Sequence, residues 1–248
     1  MSEAVFSLWV GKRLSLLERL CAKSHLANGH AFELYTYGDT GGIPDGVRVL
    51  PAQDILPPDQ IDRYMLRYKP HVHGAELGRS GEFKGFVTPF SDLFRLKALA
   101  ERGGTWVDLD IVCLAPFPQR HLLASERQRD GARKIANSVM RIPAGFAAEM
   151  FGRALRFDPA SLRHEDIGSR MISPAVAEFG LEADVAPPDC FCPVDWWDWR
   201  RLIRDDFALP AGTIGVHLWN SQWLLGNADK DRLYPDTTLY GGLQRRYL

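Results

Sequence analysis

The sequence predicts an α/β protein with a mainly parallel central sheet flanked by helices. Three observations lead there. Strand-like and helix-like segments alternate through the first third of the chain. The strand-like runs are short and apolar, as buried strands are. A later helix passes through a glycine pair directly into another strand, which carries two carboxylates at its end.

Phe6 to Val10 is the first apolar run and reads as a buried strand. Leu14 to Leu26 has its apolar residues at close to helical period, and Asn28-Gly29 ends it. Phe32 to Tyr37 alternates and stops at Gly38-Asp39, a second strand. Val47 to Leu50 is a third. Strand, helix and strand at this spacing imply parallel pairing with a crossover helix. Residues 51 to 90 are irregular, with Pro57-Pro58, Pro70, Gly74, Gly78, Gly81 and Gly85, the kind of stretch that is functional or mobile in a compact domain. Ser91 is placed to cap a helix with Asp92 in its first turn; that helix runs to Arg102 and ends at Gly103-Gly104. Thr105-Trp106-Val107 follows as a strand and delivers Asp108 and Asp110. In the second half, Lys134 to Ile142 reads as a strand, Ala147 to Phe157 as a helix, Gly168 to Phe179 as a helix bent or split at Ser173-Pro174, and Ile214 to Trp219 as a last strand. The tail from Asn227 to Leu248 is polar and contains glycine. No repeat or linker divides the chain, so one domain over 1–248 is expected, with a front part of about 1–115 and a back part of about 116–248.

The bulk numbers bound the function. The 248 residues hold 46% hydrophobic and 25% charged side chains, with 30 basic against 31 acidic, for a net charge of -1. That composition is ordinary for a globular protein and lacks the basic excess of a general nucleic-acid binder. The first residues do not resemble a signal peptide, and no apolar run approaches the length of a membrane span. A cytoplasmic protein is therefore expected, with peripheral contact at the inner face of a membrane left open. Cys21, Cys113, Cys190 and Cys192 read as free thiols, since Cys190-Phe191-Cys192 has no second ligand pair for zinc.

Chemistry concentrates at Asp108-Leu109-Asp110. If this segment stays extended, both carboxylates project to one side of the sheet. Two close carboxylates repel, and burying them is costly unless a cation joins them. A hard divalent ion, Mg²⁺ or Mn²⁺, that uses one or two carboxylates and completes its shell with phosphate oxygens is the natural partner. The edge where parallel strands end is also where open α/β sheets bind ligands. Asp92 and Arg95 lie one helical turn apart on the helix that leads into this strand. They form either a surface ion pair or a pair of groups reaching toward a polar ligand.

The run SDLFRLKALAERGGTWVDLDI, residues 91–111, resembles the signature of glycosyltransferase family 32. Its relatives include the DXD-containing sugar-binding region of capsular polysaccharide and mannosyltransferases and the α-1,4-galactosyltransferases. The likeness is strong over 91–111 and looser over most of 5–225. It implies a GT-A fold and a metal-dependent, retaining transfer of a hexose from a nucleotide-diphospho-sugar to a glycan, lipid-linked or other hydroxyl acceptor. UDP-sugar is the favoured donor and GDP-sugar the second choice. By that likeness Asp108 contacts donor and metal, Asp110 is the firmer metal ligand, and Asp92 and Arg95 bond the sugar hydroxyls.

Leu8-Trp9-Val10-Gly11 resembles the family's first strand, where an aromatic face lies against the base and Gly11 lets the backbone approach. The segment around Trp219 resembles a late element in which His217 completes the metal shell and Trp219 bonds the diphosphate. Extended, His217 and Trp219 face the same side. The stretch around Asn137 resembles the family's next strand after the acids, which implies that Asn137 reaches donor or acceptor hydroxyls; the alternative is a satisfied polar residue near a strand start. His164 to Ser169 stands where relatives often have Gly-Pro and here has Gly168-Ser169. Trp196, Trp197 and Trp199 are open between core packing, an acceptor platform and a membrane contact. Rival functions are a nucleotidyltransferase, a nucleotide-sugar hydrolase, and a catalytically idle nucleotide-sugar-binding module.

Overall fold

A computed structural model describes residues 4–66 and 86–248 of the chain. The strands are β1 (Val5–Trp9), β2 (Phe32–Thr36), β3 (Arg48–Pro51), β4 (Thr105–Val107), β5 (Ile111–Cys113), β6 (Leu122–Arg127), β7 (Arg133–Arg141) and β8 (Gly215–His217). The α-helices are α1 (Leu16–Ala27), α2 (Asp59–Arg63), α3 (Thr88–Arg102), α4 (Ala144–Ala154), α5 (Ser169–Glu178), α6 (Arg201–Arg204), α7 (Asn220–Leu225) and α8 (Leu239–Tyr247).

Among the described residues, six strands form the central sheet in the order β3-β2-β1-β4-β7-β6, and β5 pairs with β8 in a small second sheet. β3, β2, β1 and β4 run parallel, β7 runs antiparallel to β4, and β6 pairs antiparallel to β7. The α/β class and mainly parallel sheet are as the sequence indicates. Ser15 starts α1 with a full capping box to Glu18.

Pleating divides the core. Val5, Leu34 and Val107 face one apolar layer under α1 and α8, with Leu17, Phe32, Phe191, Trp223 and Tyr240. Their neighbours Phe6, Tyr35 and Trp106 face the other, under α3, α4 and α5, with Phe90, Phe94, Met140 and Ile172. Each such side chain contributes about 1.5–3 kcal/mol by leaving water. This two-sided burial explains why the strands read as apolar runs.

Several elements depart from the sequence reading. α3 begins at Thr88, not after Ser91, because Pro89 fits the first turn, where its missing N–H is no loss. The irregular stretch therefore ends before residue 90 and already contains α2; Pro70, Gly74, Gly78, Gly81 and Gly85 lie outside the described residues. α4 starts three residues before the expected Ala147. α5 carries Pro174 inside it without a break in the helix. The strands β5 and β6 were not expected, and the polar tail holds α8, whose Tyr240, Leu243 and Tyr247 are buried beside α1 and α6. No helix among the described residues is long and apolar enough to cross a membrane.

Candidate active site

β1 and β4 are parallel neighbours, so Trp9 and Val107, their last residues, lie toward one edge of the sheet. At the opposite edge a tight reversal turns the end of α3 into the start of β4: Gly103 and Gly104 have φ of 65° and 87°, and a Cβ on Gly104 would sit 3.1 Å from the Ala4 carbonyl oxygen.

Asp108-Leu109-Asp110 is not extended. It is a turn, closed by the Ile111 N–H donating to the Asp108 carbonyl at 3.0 Å. The expectation that both acids project from a straight strand is corrected here: the chain leaves the central sheet at Asp108 and enters the small one at Ile111. The turn nonetheless gathers the acids, because β8 pairs with β5 and sets His217 opposite Ile111. Ligand atoms of Asp108, Asp110 and His217 all lie within 4.8 Å of one another.

Each member is held differently. Asp108 Oδ1 accepts from the Trp106 indole N–H at 2.8 Å and pairs with Arg95 at 3.0 Å, while the side chain stays 27% exposed. Burial pushes its carboxyl up to about 6 against the pull of Arg95, with a further push from Asp110. Asp110 Oδ2 accepts the Asn220 backbone N–H at 2.8 Å and lies 3.2 Å from His217 Nε2. Burial alone would raise Asp110, but His217 and the Asn220 N–H outweigh it and hold the carboxyl below its ordinary range. His217 is the converse: burial disfavours its charge, yet Asp110 lifts its pKa well above the usual value. Its Nδ1 lies 3.8 Å from Cys192 Sγ.

Arg95 and Asp92 are not a surface ion pair. They are 2% and 3% exposed. The Arg95 guanidinium donates to the Asn137 carbonyl at 2.5 Å and to the Ser91 hydroxyl at 3.0 Å, pairs with Asp92 at 3.3 Å, and stacks over the Trp106 ring at 4.8 Å. Asp92 Oδ1 also accepts from the Asn137 amide at 2.7 Å. Burial raises the Asp92 pKa despite Arg95 and Asn137. Arg95 thus welds α3 to β7 and to Asp108.

Trp219 is brought beside the cluster, but not by extension. It takes the left-handed conformation, φ 57°, lays its ring 3.8 Å from that of His217, and donates its indole N–H to the Val194 carbonyl at 2.8 Å. The N–H expected to bond a diphosphate is therefore engaged by the main chain. Trp9 lines a cleft of about 270 Å³ with Arg13, Leu14, Ser15, Glu18, Lys230 and Asp231. Gly11 folds against it: a Cβ there would lie 2.9 Å from the Trp9 indole nitrogen.

Sequence reasoning missed Trp106, Asn220, Gly168 and Lys230. Trp106 bonds Asp108 and Asn220 bonds Asp110. A Cβ on Gly168 would lie 2.6 Å from Asp92 Oδ2, so the Gly168-Ser169 departure marks a close approach. The tryptophan group is split: Trp199 is buried against Trp223, while Trp196 and Trp197 are half-buried beneath Arg129. All four cysteines are free.

A metal fits this arrangement. Asp110 Oδ1 is buried with no hydrogen-bond partner among the described residues, which is costly for a carboxylate oxygen unless a ligand meets it. A second group, His25, His30 and Cys113, also has metal-like spacing. There His30 Nε2 already accepts the Phe117 N–H at 3.1 Å and the His25 ring stacks on Phe32, as in an aromatic core.

No family model matches the chain. No characterised protein matches its sequence. Among solved structures, the PaToxG glycosyltransferase is similar at 15% identity and a TM-score of 0.47, over 73% of this chain and 72% of that one. A likeness of that depth leaves function to the side chains.

Proposed function

We propose that the chain is a metal-dependent glycosyltransferase of GT-A type that moves a hexose from a nucleotide-diphospho-sugar to a hydroxyl acceptor. One observation carries the reading. Asp108, Asp110 and His217 converge within 4.8 Å, with a buried carboxylate oxygen that has no partner among the described residues, at the edge of a parallel sheet beside a tryptophan-lined cleft. Two carboxylates and an imidazole suit Mn²⁺ and, less well, Mg²⁺. When bound, the ion supplies Lewis-acid stabilisation of the leaving diphosphate.

The chain's own residues orient the rest. Arg95 and Trp106 fix one oxygen of Asp108 and leave the other to the ligand side. The Asn220 N–H and the His217 ring aim Asp110. Asp92 and Asn137 form a bonded polar pair at the sugar side, and charged groups bond hydroxyls more strongly than neutral ones. Trp9, with Gly11 folded against it, offers an aromatic face to the base. UDP is the preferred base carrier and retention the preferred outcome, both supported by the likeness of residues 91–111 to glycosyltransferase family 32.

The test is a thermal-shift series with UDP- and GDP-sugars, each with and without Mn²⁺. A ligand that binds only the folded state raises its stability by mass action. The expected result is a Mn²⁺-dependent rise with one nucleotide sugar, lost in Asp110→Asn. The absence of any metal-dependent shift overturns the proposal.

A further inference from the structure

We propose that Lys230, held by the buried carboxylate of Glu18, is the cation that meets the donor diphosphate; this rests on the glycosyltransferase reading. Glu18 is 0% exposed. Its Oε2 accepts from the Ser15 N–H and hydroxyl at 2.7 and 2.5 Å, and its Oε1 accepts from Lys230 Nζ at 2.5 Å. A buried carboxylate needs such a partner. A structural ion pair, however, gains nothing from bordering a cleft, and Lys230 does border one. It keeps 27% of its side chain exposed, lines the Trp9 cleft and places Nζ 5.8 Å from the Trp9 ring.

Its place is set from both flanks. Asp231 Oδ1 accepts the Leu16 N–H at 2.9 Å, at the first turn of α1. On the other side Tyr234 donates its hydroxyl to the Asp229 carbonyl at 3.0 Å. Nζ also donates to Asn220 Oδ1 at 2.9 Å. Asn220 is the residue whose backbone N–H meets Asp110, so a single residue joins Lys230 to the metal cluster. An ammonium has three donors. Glu18 and Asn220 take two, which leaves one for the cleft. A ligand with its base on Trp9 and its phosphates at Asp108 and Asp110 has to pass Lys230.

The transfer itself balances without it. The bond between the anomeric carbon and the β-phosphate oxygen breaks, and its electron pair stays on that oxygen. The acceptor oxygen bonds to the carbon, and its proton leaves to the released phosphate. Lys230 forms and breaks no covalent bond; its charge meets the negative charge that collects on the diphosphate.

The experiment compares UDP and GDP, each with Mn²⁺, against uridine and guanosine in the full chain, by calorimetry and ligand-observed NMR. The variants are Lys230→Met and Lys230→Arg, and Mn²⁺ binding alone serves as the control for folding. The expected result is a loss of about ten- to a hundredfold in diphosphate affinity for Lys230→Met. Nucleoside and Mn²⁺ binding stay unchanged, and Lys230→Arg recovers most of the loss. Diphosphate affinity that is unchanged in Lys230→Met overturns the proposal, as does an equal loss of nucleoside and diphosphate, which marks a merely structural pair. Failure of the wild-type chain to bind any nucleotide with Mn²⁺ instead removes the glycosyltransferase reading, and this proposal with it.

Discussion

Replacing Arg95 by Met tests the site's foundation. The guanidinium is 2% exposed and meets Asp92 at 3.3 Å, Asp108 at 3.0 Å, the Asn137 carbonyl at 2.5 Å and Ser91 twice. Methionine keeps the apolar stem and removes every one of these contacts. The buried Asp92 and the part-exposed Asp108 then lose their cation, and breaking a buried pair such as Arg95–Asp92 costs about 3–5 kcal/mol. Urea unfolding at pH 7.5 measures this directly. The loss must shrink toward pH 5: burial already holds Asp108 at about 6, and a protonated carboxyl has no charge to compensate. Arg95→Lys should fall between, since an ammonium cannot serve two carboxylates and a carbonyl in fork geometry. Arg95→Met should also weaken Mn²⁺ binding about 10–100-fold by releasing Asp108, the range for lost supporting contacts. A cost below about 1 kcal/mol, independent of pH, would refute the reasoning, since that is the worth of an exposed pair.

Other expectations are equally concrete. Asp108→Asn should stabilise the metal-free protein while removing Mn²⁺ binding, as calorimetry will show. The raised carboxyl, about 6 against 3.8, binds protons in the folded state that the unfolded chain releases, so its ionisation costs up to about 3 kcal/mol above pH 6; a destabilised variant would contradict this. Burial depresses the His25 pKa from 6.5 to about 3. The unfolded chain therefore takes up a proton below pH 6.5 that the folded one refuses. Stability should fall by up to about 1.4 kcal/mol per pH unit from there toward pH 3, and His25→Gln should lessen that slope in acid-unfolding curves. Gly168→Ala places a methyl 2.6 Å from Asp92 Oδ2, which should cost about 1–3 kcal/mol. Wild-type stability on urea unfolding would show that the loop yields freely.

The legible parts of this protein were those governed by local pattern. Buried parallel strands announce themselves as apolar runs, and a capping residue followed by helical period marks α1. Ser91 misled because its hydroxyl serves Arg95 from within the first turns of α3, while Pro89 sets the true start. β5 and β6 were hard to place because antiparallel and two-strand pairings depend on partners elsewhere along the chain. The helix α8 was hidden by its polar residues and glycines, and is stabilised by burying Tyr240 and Tyr247 against distant elements.

At the acids the division is clearest. Residue types and spacing alone determined that two carboxylates follow a buried strand, that an Asp–Arg pair lies on the helix before them, and that a histidine recurs near the end. Those are properties of chemistry and local order. Only the tertiary structure decided that the acids lie in a turn, that β8 delivers His217 to them, and that Arg95 is spent on holding Asp108. It also decided that Lys230 and Glu18 meet across most of the chain. The physical reason is that a buried charge is stable only where several separate elements supply its partners at once, and that meeting exists only after the chain has folded.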